Sequence, residues 1–352
     1  MKTIRAINVR HKKVLVRCDF NVSIDENGNV REDFRITKTL PTISYLLENE
    51  AKIILMSHLG DPQGVIVDNL KLDRVVACLN DRLASFIGRQ IKIIKADDCI
   101  GENVEKLVNG LNSGEILVLE NLRFRKEEEE NNDLFARKLA SLADIYINDA
   151  FGVCHRAHAS VVGVPKYLSK AAGLLLEKEI KVLEEMMENP QRPLVAVIGG
   201  KKVETKLKPI NKISAVADLV LINNPLQTEI AEKDIKLAYP EKIVMPIDSL
   251  ENNFDIGPQT AKLFREKILT ARTVFWNGPM GKIEDKKFAN GTVIVAETII
   301  ESKAFSIAGG GETVEAIVKM GLLEKFNHVS TGGGAMLMFL AGESLPGIDA
   351  LA

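Results

Sequence analysis

The chain has 352 residues, of which 46% are hydrophobic and 27% are charged, and its formal net charge is -2. This length exceeds what one hydrophobic core comfortably serves, so we expect two domains of ordinary size. The nearly balanced charge gives no reason to expect nucleic acid or an acidic membrane surface as a partner. Any anion site must therefore be built from basic residues that cluster locally.

The start of the chain and its cysteines give no indication of secretion, a membrane span or a disulfide framework. The start, MKTIRAINVRHKKVLVRC, carries charges throughout and lacks the apolar core of a secretory signal, and no apolar run is long enough to span a membrane. The four cysteines are scattered without C-x-x-C spacing. This distribution favours a cytoplasmic location over a disulfide framework or a zinc site.

Short apolar runs alternate with segments of helical period along the whole chain. The runs cover residues 13–18, 52–56, 91–95, 115–119, 144–148, 194–198, 218–222, 242–247, 273–276 and 304–308. Runs that are rich in β-branched residues and do not alternate with polar residues predict strands buried on both faces, and intervening helices make such strands parallel. The predicted fold class is α/β, with two Rossmann-like parallel-sheet domains.

The boundary between the domains is predicted near residues 177–190, EKEIKVLEEMMENP. Its apolar residues recur at helical spacing and the segment ends at Asn-Pro, which stops a helix. This helix could join the domains as a hinge, and a plain surface helix fits the periodicity equally well. We expect a first domain of residues 1–171, a linker of 172–190, a second domain of 191–335, and a C-terminal segment, 336–352, that returns toward the first domain.

A separate charged run, KEEEE at 126–130, predicts a solvated helix start.

The stretch LVAVIGGKKVETK, residues 194–206, is the first candidate for a binding site. A buried strand that runs into Gly199–Gly200 and opens a helix directs backbone N–H groups toward one point. Lys202 and Lys206 are four residues apart, so on a helix they would share a face. The combination suits a polyphosphate, although it is not a Walker A loop, and an ordinary strand–helix turn with solvated lysines is the alternative.

Basic residues follow the strands of the first half. Eight of them lie at or just after predicted strand ends or loops: Arg17, Arg35, His58, Arg123, Arg125, His155, Arg156 and His158. Asp19 and Asn21 follow the first strand. Because open α/β sheets bind ligands at the carboxyl ends of their strands, the set predicts a site for a small, multiply charged anion. His155 and His158 have no third ligand nearby, so we do not expect a structural metal there.

Three glycine-rich turns in the second half complete the pattern. They are WNGPMG (276–281), AGGGET (308–313) and TGGGA (331–335), and the last two open helices. Together with VLVRCDFNV, RITKTLPTISYLL, ILMSHLG, ENLRF, INDAFGVCHRAHAS, VAVIGGKKV and DIGP, these ordered motifs resemble those of the phosphoglycerate kinase family. The resemblance runs from near the start of the chain to its end, with one shortened segment.

The resemblance implies a two-domain enzyme with a hinge helix and a cleft between the domains. The first domain would hold 3-phosphoglycerate or 1,3-bisphosphoglycerate, through Asp19, Asn21, Arg35, His58, Arg123 and Arg156. The second would hold ADP or ATP with Mg²⁺, through Gly200, Lys202, Lys206, Asn277, Pro279, Glu284, Gly309, Gly310, Gly311, Glu312 and Thr313. Glu312 would be the metal ligand. The residues implied at the transferring phosphoryl group are Arg35, Lys202, Gly310 and Gly333, with Gly332 and Gly334 beside the last. The resemblance also implies a monomer that acts on small molecules.

The residues agree with this chemistry. A carboxylate that attacks a phosphorus atom is already ionised near neutral pH, so the reaction needs no general base. Alignment and cations that neutralise the transferring group are sufficient.

Three departures from the family pattern stand out. Asp61 occupies the position of a phosphate-binding arginine, where a carboxylate would repel the substrate, and Arg125 is our candidate for offsetting it. Glu312 replaces an aspartate. After residue 222 the chain lacks several dozen residues beside the expected adenine site, so we expect weaker or less base-selective nucleotide binding.

Two other functions compete with this one. A non-catalytic relative that binds phosphoglycerate or nucleotide is the alternative, favoured by Asp61 and the shortened segment. A Rossmann dehydrogenase is rejected, because no G-x-G-x-x-G follows the first strand with an acidic residue some 20 positions later.

Overall fold

The structure is a computed structural model that describes residues 1–352. The chain forms two compact units, one of residues 1–179 with 344–352 and one of residues 180–343. Each unit is built on a six-stranded sheet in which every neighbouring pair of strands is parallel. The prediction of two parallel-sheet α/β domains is confirmed.

The sheet of the first unit has its longest strands in the centre. Its strands are β1 (Lys13–Arg17), β2 (Lys52–Met56), β3 (Ile93–Lys95), β4 (Ile116–Val118), β5 (Ile145–Asn148) and β6 (Ser169–Ala172). Their order is β3-β4-β2-β1-β5-β6. The central strands β1 and β2 are buried after their first residue, because helices cover a parallel sheet on both sides.

The helices of the first unit lie in the connections between strands. They are α1 (Phe34–Glu48), α2 (Asp73–Ile87), α3 (Glu102–Asn109), α4 (Lys126–Glu129) and α5 (Asp133–Ala140). Helix α6 (Leu174–Glu188) contributes residues to both units. It ends before Asn189–Pro190, as the sequence predicts, and begins earlier than predicted. The Asp149 carboxylate accepts bonds from Leu175 N (2.9 Å) and Leu176 N (3.3 Å), which satisfies the first turn of the helix.

The second unit repeats the architecture with shorter outer strands. Its main strands are β7 (Leu194–Ile198), β8 (Leu219–Ile222), β9 (Ile243–Val244), β12 (Thr273–Asn277), β13 (Phe305–Gly309) and β14 (His328–Val329), and a small antiparallel pair is formed by β10 (Ser249–Leu250) and β11 (Asp255–Ile256). The order of the large sheet is β14-β13-β12-β7-β8-β9. Its helices are α7 (Leu207–Val216), α8 (Asn224–Glu232), α9 (Pro258–Leu269), α10 (Asn290–Ser302), α11 (Gly311–Lys319) and α12 (Gly333–Leu340).

The last residues of the chain pack within the first unit, where they form α13 (Pro346–Asp349). Gly347 N donates to Cys154 O over 2.8 Å, and Asn148 Nδ2 donates to Gly347 O over 3.3 Å. A Cβ on Gly347 would lie 2.9 Å from Cys154 Cα, so only glycine permits this approach.

Three local predictions are wrong. The run at 242–247 contributes only the two-residue strand β9, because Pro246 has no N–H to give to a sheet. The helix after Gly199–Gly200 begins at Leu207, after a 3₁₀ turn at Val203–Thr205, so Lys202 and Lys206 do not share a helical face.

The third prediction, for the KEEEE run, is wrong at one residue only. It does form the start of a helix, α4, but Glu128 within it is fully buried rather than solvated. No helix in the structure is both long enough and apolar enough to cross a membrane.

Candidate active site

The basic residues of the first unit converge because they follow four strands that are neighbours in the sheet. Arg17 ends β1, and His58 comes two residues after β2. Arg123 follows β4 and Arg156 follows β5. Since these strands are parallel and lie in the order β4-β2-β1-β5, their carboxyl ends present the side chains along one edge.

Asp19, Asn21 and Arg35 form a polar group at this edge. The Arg35 guanidinium donates to Asn21 O over 2.8 Å and lies 3.3 Å from Asp19 Oδ2. Asp19 is buried, whereas Arg35 and Asn21 are half-buried. A buried carboxylate beside a partly exposed arginine fixes the guanidinium and leaves part of its charge available to an anion.

Arg123 is tied to the same group through the loop after β2. The Asn21 side chain accepts from Gly60 N over 2.9 Å, and Arg123 Nη1 donates to Gly60 O over 2.8 Å. Arg123 Nε lies 3.1 Å from Glu129 Oε1. Arg156, in contrast, is exposed, and its side chain makes no hydrogen bond or ion pair within the protein. Its charge is therefore available to an anionic ligand.

His58 is buried, and its Nδ1 lies 3.2 Å from Arg17 Nη2. Burial, followed by the charges of Arg17, Arg123 and Arg35, holds the pKa of His58 well below its usual range. Burial and the neighbouring Arg123, Arg17 and Arg156 likewise lower the pKa of His158 to about 4. These histidines are therefore neutral at physiological pH, and the positive charge of the site comes from arginine.

Asp61 follows Gly60 directly and is exposed. Arg125, the residue expected to offset it, is instead engaged with the Asp98 carboxylate, through Nη2 and through Nε at 3.4 Å. Because Arg125 is directed to Asp98 and makes no hydrogen bond or ion pair with Asp61, the structure gives no support to that compensation.

In the second unit the glycine-rich turns exist because main chain packs against main chain. A Cβ on Gly199 would lie 2.0 Å from Pro279 O, and one on Gly278 would lie 2.1 Å from Gly199 O. Likewise, a Cβ on Gly333 would lie 2.6 Å from Gly310 Cα. The turns after β7 and β12, and those that open α11 and α12, can approach this closely only without side chains.

Asn277 joins these turns at the end of β12. Its Nδ2 donates to Gly309 O over 2.8 Å, and its Oδ1 accepts from Lys206 Nζ. Burial lowers the pKa of Lys206 to about 8, an effect that the nearby Glu312 carboxylate partly offsets. The Thr313 hydroxyl accepts from Gly278 N over 2.7 Å, so it holds the turn after β12 in place.

Two cavities of the second unit contain most of the predicted nucleotide residues. The smaller, ≈ 240 Å³, is lined by Lys206, Asn277, Gly278, Gly310, Gly311, Glu312, Thr313, Gly333, Gly334 and Leu337. The larger, ≈ 590 Å³, includes Gly200, Pro279 and Glu284, and it shares Glu312 with the smaller one. Lys202 is exposed and lines neither cavity, and Gly309 is buried and also lines neither.

Glu312 is the only acidic side chain that lines both cavities. It is exposed in the first turn of α11, and no group of three or more His, Cys, Asp or Glu residues that could hold a metal ion occurs in the structure. A lone carboxylate beside a cavity walled by main-chain amides fits Mg²⁺, because this ion commonly uses one or two carboxylates together with substrate phosphates and water.

Sequence reasoning missed one wall of the larger cavity. Pro225 and Thr228 of α8, with the segment Asn252–Phe254, line it on the side of the shortened region. Asn253 Nδ2 donates to Thr228 Oγ1 over 3.1 Å, which ties the two segments together. Asn252 and Asn253 both have positive φ, which asparagine tolerates better than most residues. The Asn-Asn pair before Phe254 is therefore the feature of the sequence that could have indicated a tight turn here.

The chain is similar to known proteins in family, sequence and structure. A model of the phosphoglycerate kinase family matches residues 4–228 and 224–343. The chain belongs to the phosphoglycerate kinase family. It is 42% identical to phosphoglycerate kinase from Dictyoglomus turgidum, over 99% of this chain and 97% of the relative, and 43% identical to that from Aquifex aeolicus, over 98% and 96%.

Solved structures agree with this assignment. Phosphoglycerate kinase from Pyrococcus horikoshii superposes with a TM-score of 0.85 at 32% identity, covering 100% of this chain and 98% of that one. The enzyme from Coxiella burnetii gives a TM-score of 0.78 at 31% identity, covering 99% and 98%. The chain is thus an enzyme of the kinase class, and the non-catalytic alternative is not favoured.

The position of the shortened segment also emerges from these matches. The alignment with the Dictyoglomus relative spans 393 positions, more than the 352 residues of this chain. The two parts of the family match meet at residues 224–228, which is the start of α8. The residues that the chain lacks therefore belong beside the larger cavity.

Proposed function

We propose that the chain catalyses the reaction after which its family is named, the reversible transfer of a phosphoryl group between 1,3-bisphosphoglycerate and ADP, giving 3-phosphoglycerate and ATP. One observation carries the proposal: a single chain combines an arginine-rich edge in one parallel-sheet unit with a cavity walled by glycine turns in the other. The first arrangement suits a small phosphorylated acid, and the second suits the phosphates of a nucleotide.

In the first unit, Arg123, Arg156 and His58 hold the phosphate that is not transferred. Asp19 and Asn21 contact the glycerate hydroxyl. Arg35 reaches the transferring group, since its guanidinium is fixed by Asp19 and Asn21 and remains partly exposed. The carboxylate of the substrate is the nucleophile and needs no base, because it is ionised at neutral pH.

In the second unit, main-chain N–H groups at the starts of α11 and α12 face the nucleotide phosphates across the smaller cavity. Lys206 supplies positive charge within that cavity, and Lys202 approaches the phosphates from its exposed position. Glu312 holds Mg²⁺, which when bound neutralises phosphate charge and orients the phosphoryl group. The ribose and base occupy the larger cavity, with Glu284 at the ribose.

The transfer requires the acceptor and donor atoms to be in line. Since the two substrates bind to different units, the proposal includes a closing motion, which we assign to α6 because it contributes residues to both units. Single-molecule distance measurements between labels on the two units, made without ligand and with both substrates, test this motion. An unchanged distance would contradict the proposed closing motion.

The central test is a coupled steady-state assay with 3-phosphoglycerate and Mg-ATP, run beside Mg-GTP. We expect turnover with ATP, together with measurable turnover with GTP, because the missing segment leaves the base site more open. A strong preference for ATP would support the kinase function and show that residues 223–254 form an adenine-selective site. Folded protein without turnover on either nucleotide would contradict the proposal.

A further inference from the structure

A buried chain of hydrogen bonds begins at His58, one of the residues predicted to hold the substrate phosphate. Arg17 Nη2 is 3.2 Å from His58 Nδ1, and Arg17 Nε donates to Ser160 Oγ over 2.8 Å. Ser160 Oγ is 2.5 Å from Glu128 Oε1, and Ser160 N donates to Glu128 Oε2 over 2.9 Å. All four residues are buried, and we refer to His58, Arg17, Ser160 and Glu128 as the Arg17 network.

The direction of each bond in this network follows from the atoms involved. Arginine has only donors, so His58 Nδ1 must accept from Arg17 and carries no proton. Ser160 Oγ accepts from Arg17, so its single hydroxyl proton points to the Glu128 carboxylate. A neutral imidazole that lacks a proton on Nδ1 carries it on Nε2.

Glu128 explains why a full positive charge can be buried here. Its carboxylate balances Arg17 through Ser160, since a buried charge without a partner is strongly destabilising. Burial raises the pKa of Glu128 above its usual value, and the charge of Arg17 and the bonds from Ser160 only partly offset this rise. A third donor of Arg17, Nη1, is used by Cys18 O. Each of the three guanidinium nitrogens of Arg17 is therefore engaged within the protein.

We propose that Arg17 is a positioning residue, held by Ser160 and Glu128, that fixes His58 as the neutral tautomer with its proton on Nε2. His58 then meets the substrate phosphate as a single neutral N–H donor, and the positive charge comes from Arg35, Arg123 and Arg156. This inference rests on the proposed function, because it assumes that His58 contacts the phosphate. It removes Arg17 from the set of anion ligands in which the sequence places it.

The other titratable groups that face His58 reinforce the same state. Arg123, Arg35 and His158 each lower the pKa of His58, in addition to Arg17 and burial. None of these groups is an acid that would favour an imidazolium. Arg17 differs from the others in that it makes a direct bond to the ring, so it alone determines which nitrogen carries the proton.

The first test is nitrogen NMR of the unliganded protein with ¹⁵N-labelled histidine. The chain has five histidines, and His58→Gln identifies the signal of His58 by its loss. We expect a proton bonded to Nε2, none on Nδ1, and no titration of this ring between about pH 6 and pH 8. A proton on Nδ1, or an imidazolium in that range, would overturn the proposal without any reference to activity.

The second test removes both buried charges together, in Arg17→Gln combined with Glu128→Gln, so that no unpaired charge remains inside the protein. Binding of 3-phosphoglycerate is measured by calorimetry without nucleotide. We expect about tenfold weaker binding at pH 8, a matching rise in KM for 3-phosphoglycerate, and little change in kcat. Arg137→Gln, which removes an exposed ion pair with Asp133, is the control and should leave binding unchanged.

The pH profile separates positioning from a general loss of packing. Without Arg17 the pKa of His58 rises, so the ring takes up a proton more readily as the pH falls, and anion binding should strengthen toward pH 6 relative to wild type. The ratio of the two dissociation constants at each pH cancels the titration of the substrate's own phosphate. Because Arg17 also lowers the pKa of His158, the NMR signals of the two rings are followed separately.

The outcomes distinguish the inference from the proposed function. An unchanged tautomer and a constant affinity ratio in the double variant would show that Arg17 does not position His58. If that variant does not fold, Ser160→Ala, which breaks the link between Arg17 and Glu128, takes its place with the same readouts. The expected tautomer in a protein that neither binds 3-phosphoglycerate nor turns over would instead contradict the proposed function.

Discussion

The two units of this protein are built on the same parallel sheet and yet form anion sites in opposite ways. In the first unit the site is made of long side chains, and each arginine near it except Arg156 is held by a carboxylate, hydroxyl or carbonyl oxygen. In the second unit the site is made of main chain, and Lys206 is the only basic side chain that lines the smaller cavity. The carboxyl edge of the parallel sheet thus carries an anion site made of side chains in one unit and an anion site made of main chain in the other.

The difference predicts how each site responds to change. A site made of side chains responds to charge, because its ligands can be added or removed one at a time. A site made of main chain responds to shape, because a single Cβ displaces two turns at once. Each of the following experiments tests one side of this contrast, in order of decreasing expected effect.

Gly333→Ala tests the main-chain site. A Cβ there would lie 2.6 Å from Gly310 Cα and 3.0 Å from Gly310 N, so the turns that open α11 and α12 must separate. We expect kcat to fall about a hundredfold, since a displacement of this size misaligns the phosphoryl group. Gly110→Ala, where the nearest atom would be 3.5 Å from the new Cβ, is the matched control. Activity within twofold or so of wild type in Gly333→Ala would mean that the turns are not part of the site.

Lys206 tests whether this main-chain site also needs a charge. Lys206→Ala should weaken ADP binding on the order of thirtyfold, the effect of losing a charged hydrogen bond. In the wild type the pKa of Lys206 is lowered to about 8, so the side chain is charged below that pH and loses its proton above it. ADP affinity should therefore decline as the pH rises through 8, and Lys206→Arg should abolish the decline. Calorimetry at several pH values checks this, and parallel profiles for wild type and Lys206→Arg would contradict it.

Asp61→Arg tests the side-chain site by reversing a charge. Asp61 is exposed beside Gly60, whose carbonyl oxygen binds Arg123, so an arginine there would add a cation next to the predicted phosphate. We expect about tenfold tighter 3-phosphoglycerate binding at low ionic strength, with the gain shrinking in salt. Arg125→Ala is the informative partner, because the Asp98 carboxylate already engages Arg125 and its loss should change binding little. A large loss of 3-phosphoglycerate affinity in Arg125→Ala would instead support the hypothesis that Arg125 compensates for Asp61.

The sequence was sufficient for the architecture and for the edge of each sheet that carries the site. Continuous apolar runs placed β2 at its observed bounds, and the rule that strand ends gather at one edge brought His58 and Arg123 together. The Gly-rich turns were recognised as a class.

Contacts between residues distant in sequence could not be read in this way. Within KEEEE, nothing distinguishes Glu128 from its neighbours, because its burial depends on Ser160, 32 positions later. Arg17 looked like an anion ligand for the same reason, since only the fold reveals that Ser160, His58 and Cys18 occupy its donors. Lys202 and Lys206 were assigned to one helical face because a 3₁₀ turn before α7 leaves no mark in composition.

Phe254 tests whether the second unit relies on main chain for the base as well as for the phosphates. Its side chain is 40% exposed and lines the larger cavity, where it packs edge-on against Phe288 at 5.1 Å between ring centroids. An aromatic face in this position can stack on any base, which is why we expect modest selectivity between ATP and GTP. Phe254→Ala should weaken binding of ADP and GDP alike by roughly fivefold and leave pyrophosphate binding unchanged. Loss of ADP binding alone would show that Phe254 belongs to a selective adenine site, and equal losses for ADP and pyrophosphate would place its effect on the turns rather than on the base.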